Sequence, residues 1–381
     1  MNTNTGLYIH IPYCANECSY CDFFKEKNNC VESLYVDTLL KDALFYKEDE
    51  KIVVDTLYFG GGTPSLLTVE QLKKIVEGLK EIFEFSEECE ITIETNPENI
   101  EKQKFIEFKK VGVNRISIGV QSLDDEILTI LSRKVDSRQI LKSLEIISEI
   151  GFEHLSFDLV IGAPHSDKDK VVKDLKTLLK LSFCHASLYL LELHWNTKLY
   201  KMVENGTNLP DEEEVAQSYE KAVEFLKLKG FEHYEISNFS KKGCQCKHNI
   251  KYWRRENYIG LGPSAHSFFR GFRVRNYNSI DLWEKLVSRG ELPAEEVYRE
   301  NHLEMKENKI IFGLRLAEGV DLSLVKEYCL ESGNSFSKFE KLLETNMLKK
   351  EGNRICLTEN GFLVSNEVIA FLLPVSYRCK F

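Results

Sequence analysis

Long apolar runs are missing from this sequence of 381 residues. No uninterrupted apolar stretch is long enough for a membrane-spanning helix, and no cationic start is followed by an apolar block that would resemble an export signal. An excess of positive charge is also missing, because 60 acidic residues outnumber 50 basic ones and the formal net charge is -10 at pH 7. Since binding to phosphate backbones needs a basic face, this balance argues against a general role in nucleic-acid binding.

Features that would favour disulfide bonds are absent as well. The chain has 11 cysteines but no export signal, so thiolate ligation in a reducing cytosol explains them better than disulfide pairing. The apolar content of 43% is ordinary for a globular protein, and the length suffices for one large core and a second, small domain. The sequence therefore predicts a cytoplasmic globular protein.

The sequence does contain an unusual group of cysteines near its amino terminus. Cys14, Cys18 and Cys21 follow a short alternating apolar run that is typical of a β-strand. A loop with this spacing can present three thiolates to one iron-sulfur cube and leave the fourth iron without a protein ligand. A zinc loop or three buried core thiols are the alternatives, and zinc loops favour two-residue gaps between cysteines.

The residues around these cysteines resemble a known superfamily. Residues 8–23 read Tyr-x-His-Ile-Pro-Tyr-Cys-x-x-x-Cys-x-Tyr-Cys-Asp-Phe, which is similar to radical S-adenosylmethionine (SAM) proteins, especially the branch of oxygen-independent coproporphyrinogen oxidases and heme chaperones. The resemblance implies that Cys14, Cys18 and Cys21 hold a 4Fe-4S cluster whose open iron chelates SAM. A cluster electron then cleaves SAM to a 5′-deoxyadenosyl radical, so the cofactor supplies the hard chemistry.

Strand patterns and helix patterns alternate along the first half of the chain. This alternation implies a parallel sheet with helices outside. A partial (β/α)6 barrel of the TIM type is the preferred architecture, because polar residues fall at the carboxyl ends of the strands; a doubly wound flat sheet is the alternative. The six predicted strands begin at Leu7 and then cover Val53–Phe59, Glu90–Thr95, Arg115–Val120, His154–Ile161 and Ala186–Leu191.

The pattern changes to short helices from about residue 281. A hairpin is predicted at Met347 to Leu357 and a closing helix at Gly361 to Phe371. We therefore divide the chain into a radical SAM barrel domain, residues 1–280, and a small, mainly helical C-terminal domain, residues 281–381. A winged-helix-like fold is one arrangement that these closing segments allow.

Glycines and polar residues at strand ends are the candidate SAM ligands. Gly60, Gly61 and Gly62 follow the second strand, where missing side chains let a ligand approach the backbone; a plain tight turn is the alternative. Carboxylates and amides on the next strands offer acceptors for the ribose and ammonium groups of SAM. By resemblance the SAM-binding residues are Tyr8, Gly62, Thr63, Glu94, Gln121, Arg133 and Asp158, with Arg133 on the SAM carboxylate and Tyr8 beside the sulfonium or cluster.

Two related functions share this framework. The resemblance implies that oxidase-type proteins need a fourth cysteine two positions past the third ligand, where this chain has Phe23, and a long arm ahead of the tyrosine. Only seven residues precede Tyr8, so both features favour the chaperone branch. Oxidative decarboxylation of two propionates of coproporphyrinogen III is the alternative. Departures from the family at Val135, often a histidine, and His194, commonly a glutamate, concern the rim of the substrate pocket.

A second sequence motif, His-Asn-x-x-Tyr-Trp, begins at His248. It resembles a motif of the heme chaperones. Imidazole can bind heme iron and aromatic rings can stack on the macrocycle, so His248, Tyr252 and Trp253 are the candidate heme residues. The structural alternative is a histidine that satisfies backbone groups beside core aromatics. Heme and acceptor hemoproteins are the implied partners, and a dimer is left open.

The remaining cysteines give no strong indication of a functional site. Cys244 and Cys246 stand beside His248 and offer a second metal option, but no fourth ligand is found for zinc. The others are expected to be buried thiols that act as small apolar residues. They are Cys30, Cys89, Cys184, Cys329, Cys356 and Cys379.

Overall fold

The structure, a computed structural model, describes residues 4–47 and 52–372. Its strands are β1 Thr5–Ile11, β2 Tyr13–Cys14, β3 Glu26–Lys27, β4 Val53–Gly61, β5 Glu84–Thr95, β6 Arg115–Gln121, β7 His154–Ile161, β8 His185–Leu190, β9 Glu232–Glu235, β10 Asn238–Ser240, β11 Tyr258–Leu261, β12 His266–Phe269, β13 Phe272–Asn276, β14 Ala294–Arg299, β15 Val320–Asp321, β16 Leu348–Glu351 and β17 Arg354–Leu357. Its helices are α1 Ser33–Ala43, α2 Val69–Ile82, α3 Lys102–Val111, α4 Asp125–Ile130, α5 Ser137–Ile150, α6 Lys168–Leu178, α7 Lys198–Glu204, α8 Glu212–Leu228, α9 Lys247–Arg254, α10 Ile280–Ser288, α11 His302–Gly313, α12 Leu322–Ser332, α13 Ser337–Glu344, α14 Glu359–Leu363 and α15 Ser365–Leu372.

Six parallel strands form the centre of the main sheet. Their spatial order, β1-β4-β5-β6-β7-β8, is also their chain order, whereas a doubly wound sheet reverses direction at a switch point. The partial (β/α)6 barrel is therefore confirmed and the flat-sheet alternative is wrong. Beside β1 the sheet continues through β11 to β14, and beyond β8 through β10 to β9, so these described strands leave it open.

Local sequence signals explain where the helices of the barrel begin. Thr68 Oγ1 accepts a hydrogen bond from the backbone N–H of Gln71, and the side-chain oxygen of Gln71 accepts one from the backbone N–H of Thr68; this capping box starts α2. Asp211 and Glu214 start α8 in the same way. Among the helices that the structure describes, none is long and apolar enough to cross a bilayer.

Two helical details differ from the sequence predictions. An additional short helix, α4, lies between β6 and α5, capped by the Asp124 side chain. The predicted closing helix is two helices, α14 and α15, because Thr358 caps α14 ahead of Gly361, which lies against the backbone of Met347. A side chain at Gly361 would meet the Met347 carbonyl oxygen at 2.1 Å.

The C-terminal region has its own hydrophobic core, which includes Ile310, Val325 and Ile355. Its elements follow the order α11, β15, α12, α13, β16, β17, with the small sheet arranged β15-β17-β16. This is the element order of a winged helix. Trp283 of α10 packs in the barrel core instead, so the two cores divide near residue 300, whereas the domain division at residue 280 stays a prediction.

A buried ion pair closes the amino-terminal end of the barrel. Arg115 Nε lies 3.0 Å from Glu90 Oε2, and both side chains are almost fully buried. Glu90 also accepts the backbone N–H groups of Lys247 and His248 at 3.2 and 3.1 Å, where an anion stabilises the amino terminus of α9. Arg115 donates to the carbonyl oxygen of Cys244 at 2.8 Å, so one pair fixes both the loop and the helix.

We expect the substitution Glu90→Gln to lower the free energy of unfolding by about 3–5 kcal/mol, because it leaves Arg115 as a buried charge without its counterion. Equilibrium denaturant unfolding measures the effect. Glu149, which pairs with Lys102 on the surface, provides the control, and Glu149→Gln should cost at most about 1 kcal/mol. Equal losses in the two variants would contradict the importance of the buried pair.

Candidate functional site

The carboxyl ends of β4 to β7 surround a cavity of about 470 Å³, a volume typical of small-molecule sites. It contains most of the residues that the sequence singles out. Those on its wall are Cys14, Cys18, Cys21, Gly62, Thr63, Glu94, Gln121, Arg133 and Asp158.

The three cysteines share one side of this cavity. Cys14 is buried in β2, with its sulfur 3.4 Å from Thr63 Oγ1, and Cys18 Sγ lies 3.7 Å from Arg133 Nη1. All three cysteines line the same cavity. A cubane takes one thiolate on each of three irons, so three thiols on one wall suit a cluster.

The glycine turn after β4 packs against the cysteine loop. The Gly62 N–H donates to the Ile11 carbonyl at 2.8 Å. A side chain on Gly62 would meet the Tyr13 carbonyl oxygen at 2.7 Å, so the loop that carries Cys14 requires glycine here. Gly62 and Thr63 still border the cavity.

Two carboxyl groups stand in the cavity wall on neighbouring parts of the sheet. Glu94 accepts hydrogen bonds from Tyr58 Oη at 2.7 Å and from the Gly61 N–H at 3.3 Å. Burial raises the pKa of Glu94 to about 7 and the pKa of Asp158 to about 6. Asp158 accepts from the Ser117 hydroxyl at 3.3 Å. Such a pair can accept hydrogen bonds from a ligand and favours one with positive charge.

Arg133 supplies positive charge beside the cysteines. Its guanidinium group donates to Asn96 Oδ1 at 2.9 Å and to the Gly119 carbonyl at 3.0 Å, and pairs with Glu98 at 3.3 Å. Arg133 lines the cavity, so its guanidinium group brings positive charge to a place where a ligand carboxylate can pair with it.

Gln121 ends β6 in a left-handed conformation, with φ of 68°. The pairing register with β7 shifts at this point. Backbone strain of this kind is uncommon for residues other than glycine and concentrates at functional sites. The bulge places Gln121 on the cavity wall.

Tyr8 is the SAM candidate that does not line this cavity. Its hydroxyl lies 3.1 Å from His10 Nδ1, and its ring stacks near Tyr58 and His248 inside the barrel. Tyr8 is therefore inside the barrel and is not one of the described residues that line the cavity. Its assignment to the SAM site remains a prediction.

His248 lies at the opposite, amino-terminal end of the barrel. Its Nδ1 atom is 2.8 Å from Thr56 Oγ1 and its Nε2 atom is 2.8 Å from Tyr252 Oη. Burial lowers the pKa of His248 to about 3, so the ring is neutral at physiological pH. Both nitrogens are engaged, which favours the structural interpretation in this conformation.

Trp253 lies against the C-terminal region. Its ring stacks on Phe312 with centroids 6.2 Å apart, and the Arg315 guanidinium lies 5.5 Å from its centroid. The His-Asn-x-x-Tyr-Trp motif in α9 therefore connects the barrel to the C-terminal core. A heme role for His248, Tyr252 and Trp253 remains a prediction.

Three side chains that support the site are missed by the sequence reasoning. Asn96 donates to Thr63 Oγ1 at 3.3 Å and accepts from Arg133, while Tyr58 and Ser117 bind the two carboxylates. Asn96 could have been found, because it follows Glu94 in the same strand-end segment. Tyr58 and Ser117 carry no signal beyond their place on predicted strands.

The expectation for the other cysteines holds only in part. Cys89, Cys329 and Cys356 are buried, but Cys30 is exposed and Cys184 is half-buried, so the expectation is wrong for these two. Cys379 lies outside the described residues.

The mouth of the cavity exposes apolar side chains. Phe23 is 68% exposed and Trp195 is 79% exposed, and His194 stands beside Trp195 in the chain. His194 Nδ1 lies 3.3 Å from Asp22 Oδ2. Phe23 and His194 both line the cavity, so the mouth joins aromatic surface to an accessible imidazole.

Comparisons with known proteins agree with this fold. The radical SAM superfamily model matches residues 8–178, and the HemN C-terminal domain model matches residues 301–364. The chain is 32% identical to the heme chaperone HemW of Bacillus subtilis (strain 168), over 97% of this chain and 99% of that protein. It is 35% identical to the heme chaperone HemW of Escherichia coli (strain K12), over 68% of this chain and 69% of that protein.

A solved structure supports the architecture independently. Coproporphyrinogen III oxidase (HemN) from Escherichia coli superposes with a TM-score of 0.82, over 97% of this chain and 90% of that chain. At 21% sequence identity, this likeness concerns the fold.

We expect Cys14→Ser, Cys18→Ser and Cys21→Ser each to lower the iron content of anaerobically reconstituted protein, because each removes one thiolate from the cavity. Wild-type protein should contain about four irons per chain. Cys89→Ser, which removes a buried cysteine remote from the cavity, is the matched control and should keep its iron. Equal iron in all four variants would contradict the assignment.

Proposed function

The chain belongs to the HemN-like family of the radical SAM superfamily, and from this premise we propose that it is a heme chaperone. In this proposal it carries a 4Fe-4S cluster on Cys14, Cys18 and Cys21, binds SAM next to the cluster, and transfers heme to acceptor hemoproteins. Two heme chaperones are 32% and 35% identical to it over their aligned residues.

One observation carries the cofactor part of the proposal. Three cysteines, two carboxylic acids and one arginine line a single cavity. Arg133 would pair with the carboxylate of SAM through a charge-assisted hydrogen bond. Glu94 and Asp158 would accept hydrogen bonds from its ammonium or ribose groups, with Gln121 beside them.

The bound cluster and SAM would together supply reductive cleavage of the sulfonium. The residues of the chain orient the ligand and limit access of water. Tyr58 and Ser117 hold the two carboxyl groups in place through hydrogen bonds, and the turn at Gly62 braces the cysteine loop. In a chaperone, the cleavage of SAM would be slow or would have a regulatory role.

Heme requires a different surface, and the cavity mouth offers one. Phe23 lines the cavity and exposes aromatic surface for an apolar macrocycle, and Trp195, the neighbour of His194 in the chain, is also exposed. His194 offers a half-exposed imidazole as a ligand for iron, although iron would have to displace Asp22 from Nδ1 or Glu192 from Nε2. At His248, iron would have to displace Thr56 or Tyr252 from the ring. The mouth is therefore the site that heme reaches without rearrangement of α9.

A cytosolic location completes the proposal. Ten cysteines in the described part of the chain are free thiols, and a reducing compartment keeps thiols available as ligands. Acceptor hemoproteins would meet the chaperone there.

The affinity for SAM should rise between pH 6 and pH 8. Because Glu94 and Asp158 have pKa values raised to about 7 and about 6, they lose protons over this range, and the cavity becomes more negative toward the net cationic ligand. Anaerobic equilibrium binding of SAM should show a severalfold lower Kd at pH 8.

Glu94→Gln should flatten this pH dependence. Burial also raises the pKa of Glu307, a half-buried carboxyl group remote from the cavity, so Glu307→Gln is the matched control and should keep the dependence. A Kd that is independent of pH in the wild type would remove the two carboxylates from SAM binding.

Anaerobic assays test the chaperone function against the oxidase alternative. We expect heme titration to give a saturable Soret change. Incubation with SAM, reductant and coproporphyrinogen should yield no protoporphyrinogen, because Phe23 replaces the additional cysteine of the oxidase branch. Protoporphyrinogen formation without heme saturation would overturn the proposal.

Two variants locate the heme. His194→Ala should weaken heme binding more than His248→Ala, because only His194 presents a ring that solvent reaches. Circular dichroism of both variants checks that the fold is retained. A larger loss for folded His248→Ala would instead establish that α9 opens to release its histidine.

A further inference from the structure

A second group of sulfur and nitrogen donors lies at the amino-terminal end of the parallel sheet, remote from the cavity. His154 begins β7, Cys184 immediately precedes β8, and Cys244 lies in the loop after β10. One ligand atom from each residue lies within 4.8 Å of the other two. We propose that His154, Cys184 and Cys244 form a binding site for a thiophilic divalent cation of the zinc class.

The donor set and its spacing suit such an ion. Thiolate and imidazole are the usual ligands of zinc, at about 2.3 and 2.0–2.1 Å. In a tetrahedral site these bond lengths place neighbouring donors about 3.5–4 Å apart. Cys184 Sγ already lies 3.9 Å from His154 Nδ1, so small side-chain rotations complete the site. Three protein ligands leave the fourth position to water.

The orientation of His154 agrees with a ligand role. Its Nδ1 atom faces Cys184, whereas its Nε2 atom lies 3.7 Å from Glu153 Oε1 on the other side of the ring. A hydrogen bond from the outer nitrogen to a carboxylate commonly orients metal-bound histidines, and the exposed Glu153 lies near that nitrogen without forming such a bond in this conformation.

The backbone holds the three residues in place before any ion binds. The Lys241 N–H donates to the Cys184 carbonyl at 2.8 Å, and the Cys244 N–H donates to the Lys241 carbonyl at 3.0 Å. Arg115 anchors the Cys244 carbonyl from inside the barrel. All three side chains are half-buried, so solvent ions have access.

The structure does not bring together the three residues of the Cys-x-Cys-x-His segment, Cys244, Cys246 and His248, which the sequence suggested as a metal site. Cys246 points away from Cys244 toward Glu90, with its sulfur 3.6 Å from Oε1, and the nitrogens of His248 bind Thr56 and Tyr252. The partners of Cys244 come from distant strands instead. A bound ion would tie the loop that leads into α9 to β7 and β8.

Cobalt titration of the full chain tests the site. Cys14, Cys18 and Cys21 are first replaced by serine, so that cavity thiols do not bind the probe. Under anaerobic conditions we expect one equivalent of Co²⁺ to produce sulfur-to-metal charge-transfer and tetrahedral d–d absorption, and Zn²⁺ to displace it.

In the same background, Cys244→Ser and His154→Gln should each weaken Co²⁺ binding at least tenfold. Cys246→Ser, a neighbouring cysteine outside the group, is the matched control and should bind as before; far-ultraviolet circular dichroism confirms folding of each variant. Absence of the cobalt bands, or equal binding by the Cys244 and Cys246 variants, would overturn the site. A Cys184–Cys244 disulfide in protein alkylated at lysis would also overturn it, in favour of redox chemistry.

Discussion

Parallel pairing of six successive strands is the constraint on which the rest of the molecule depends. Because β1 and β4 to β8 all run in the same direction, their carboxyl ends share one rim and their amino ends share the other. Side chains far apart in sequence, such as Glu94 and Asp158, therefore meet at one cavity. The cysteine loop follows β1 directly and so lies at the same rim.

A buried ion pair lies at the opposite, amino-terminal rim of the barrel. Glu90 and Arg115 form a buried pair that binds the amino terminus of α9 and the loop before it. Through Trp253, α9 reaches the C-terminal core. The two ends of the barrel therefore differ: the cavity lies at one end, while the other contacts the C-terminal core through Trp253 and brings His154 close to two cysteines.

Sequence patterns predict features that are local along the chain. The cysteine spacing, the glycine turn and the alternation of strands and helices each lie within one segment, so the barrel and most of the cavity wall follow from them. Tyr58, Ser117 and the grouping of Cys184 with Cys244 depend on strand neighbours and register, which no local pattern records. His248 is the opposite case. A sequence motif singles it out, but the hydrogen bonds of its two ring nitrogens are visible only in the structure.

The central claim is that Cys14, Cys18 and Cys21 hold a cluster whose remaining iron faces the polar side of the cavity. Electron paramagnetic resonance of the reduced, reconstituted protein with and without SAM tests it most directly. We expect the signal of a reduced 4Fe-4S cluster with g-values that shift when SAM is added, because SAM would bind the open iron. An unchanged spectrum at saturating SAM, or no cluster signal at all, would contradict it.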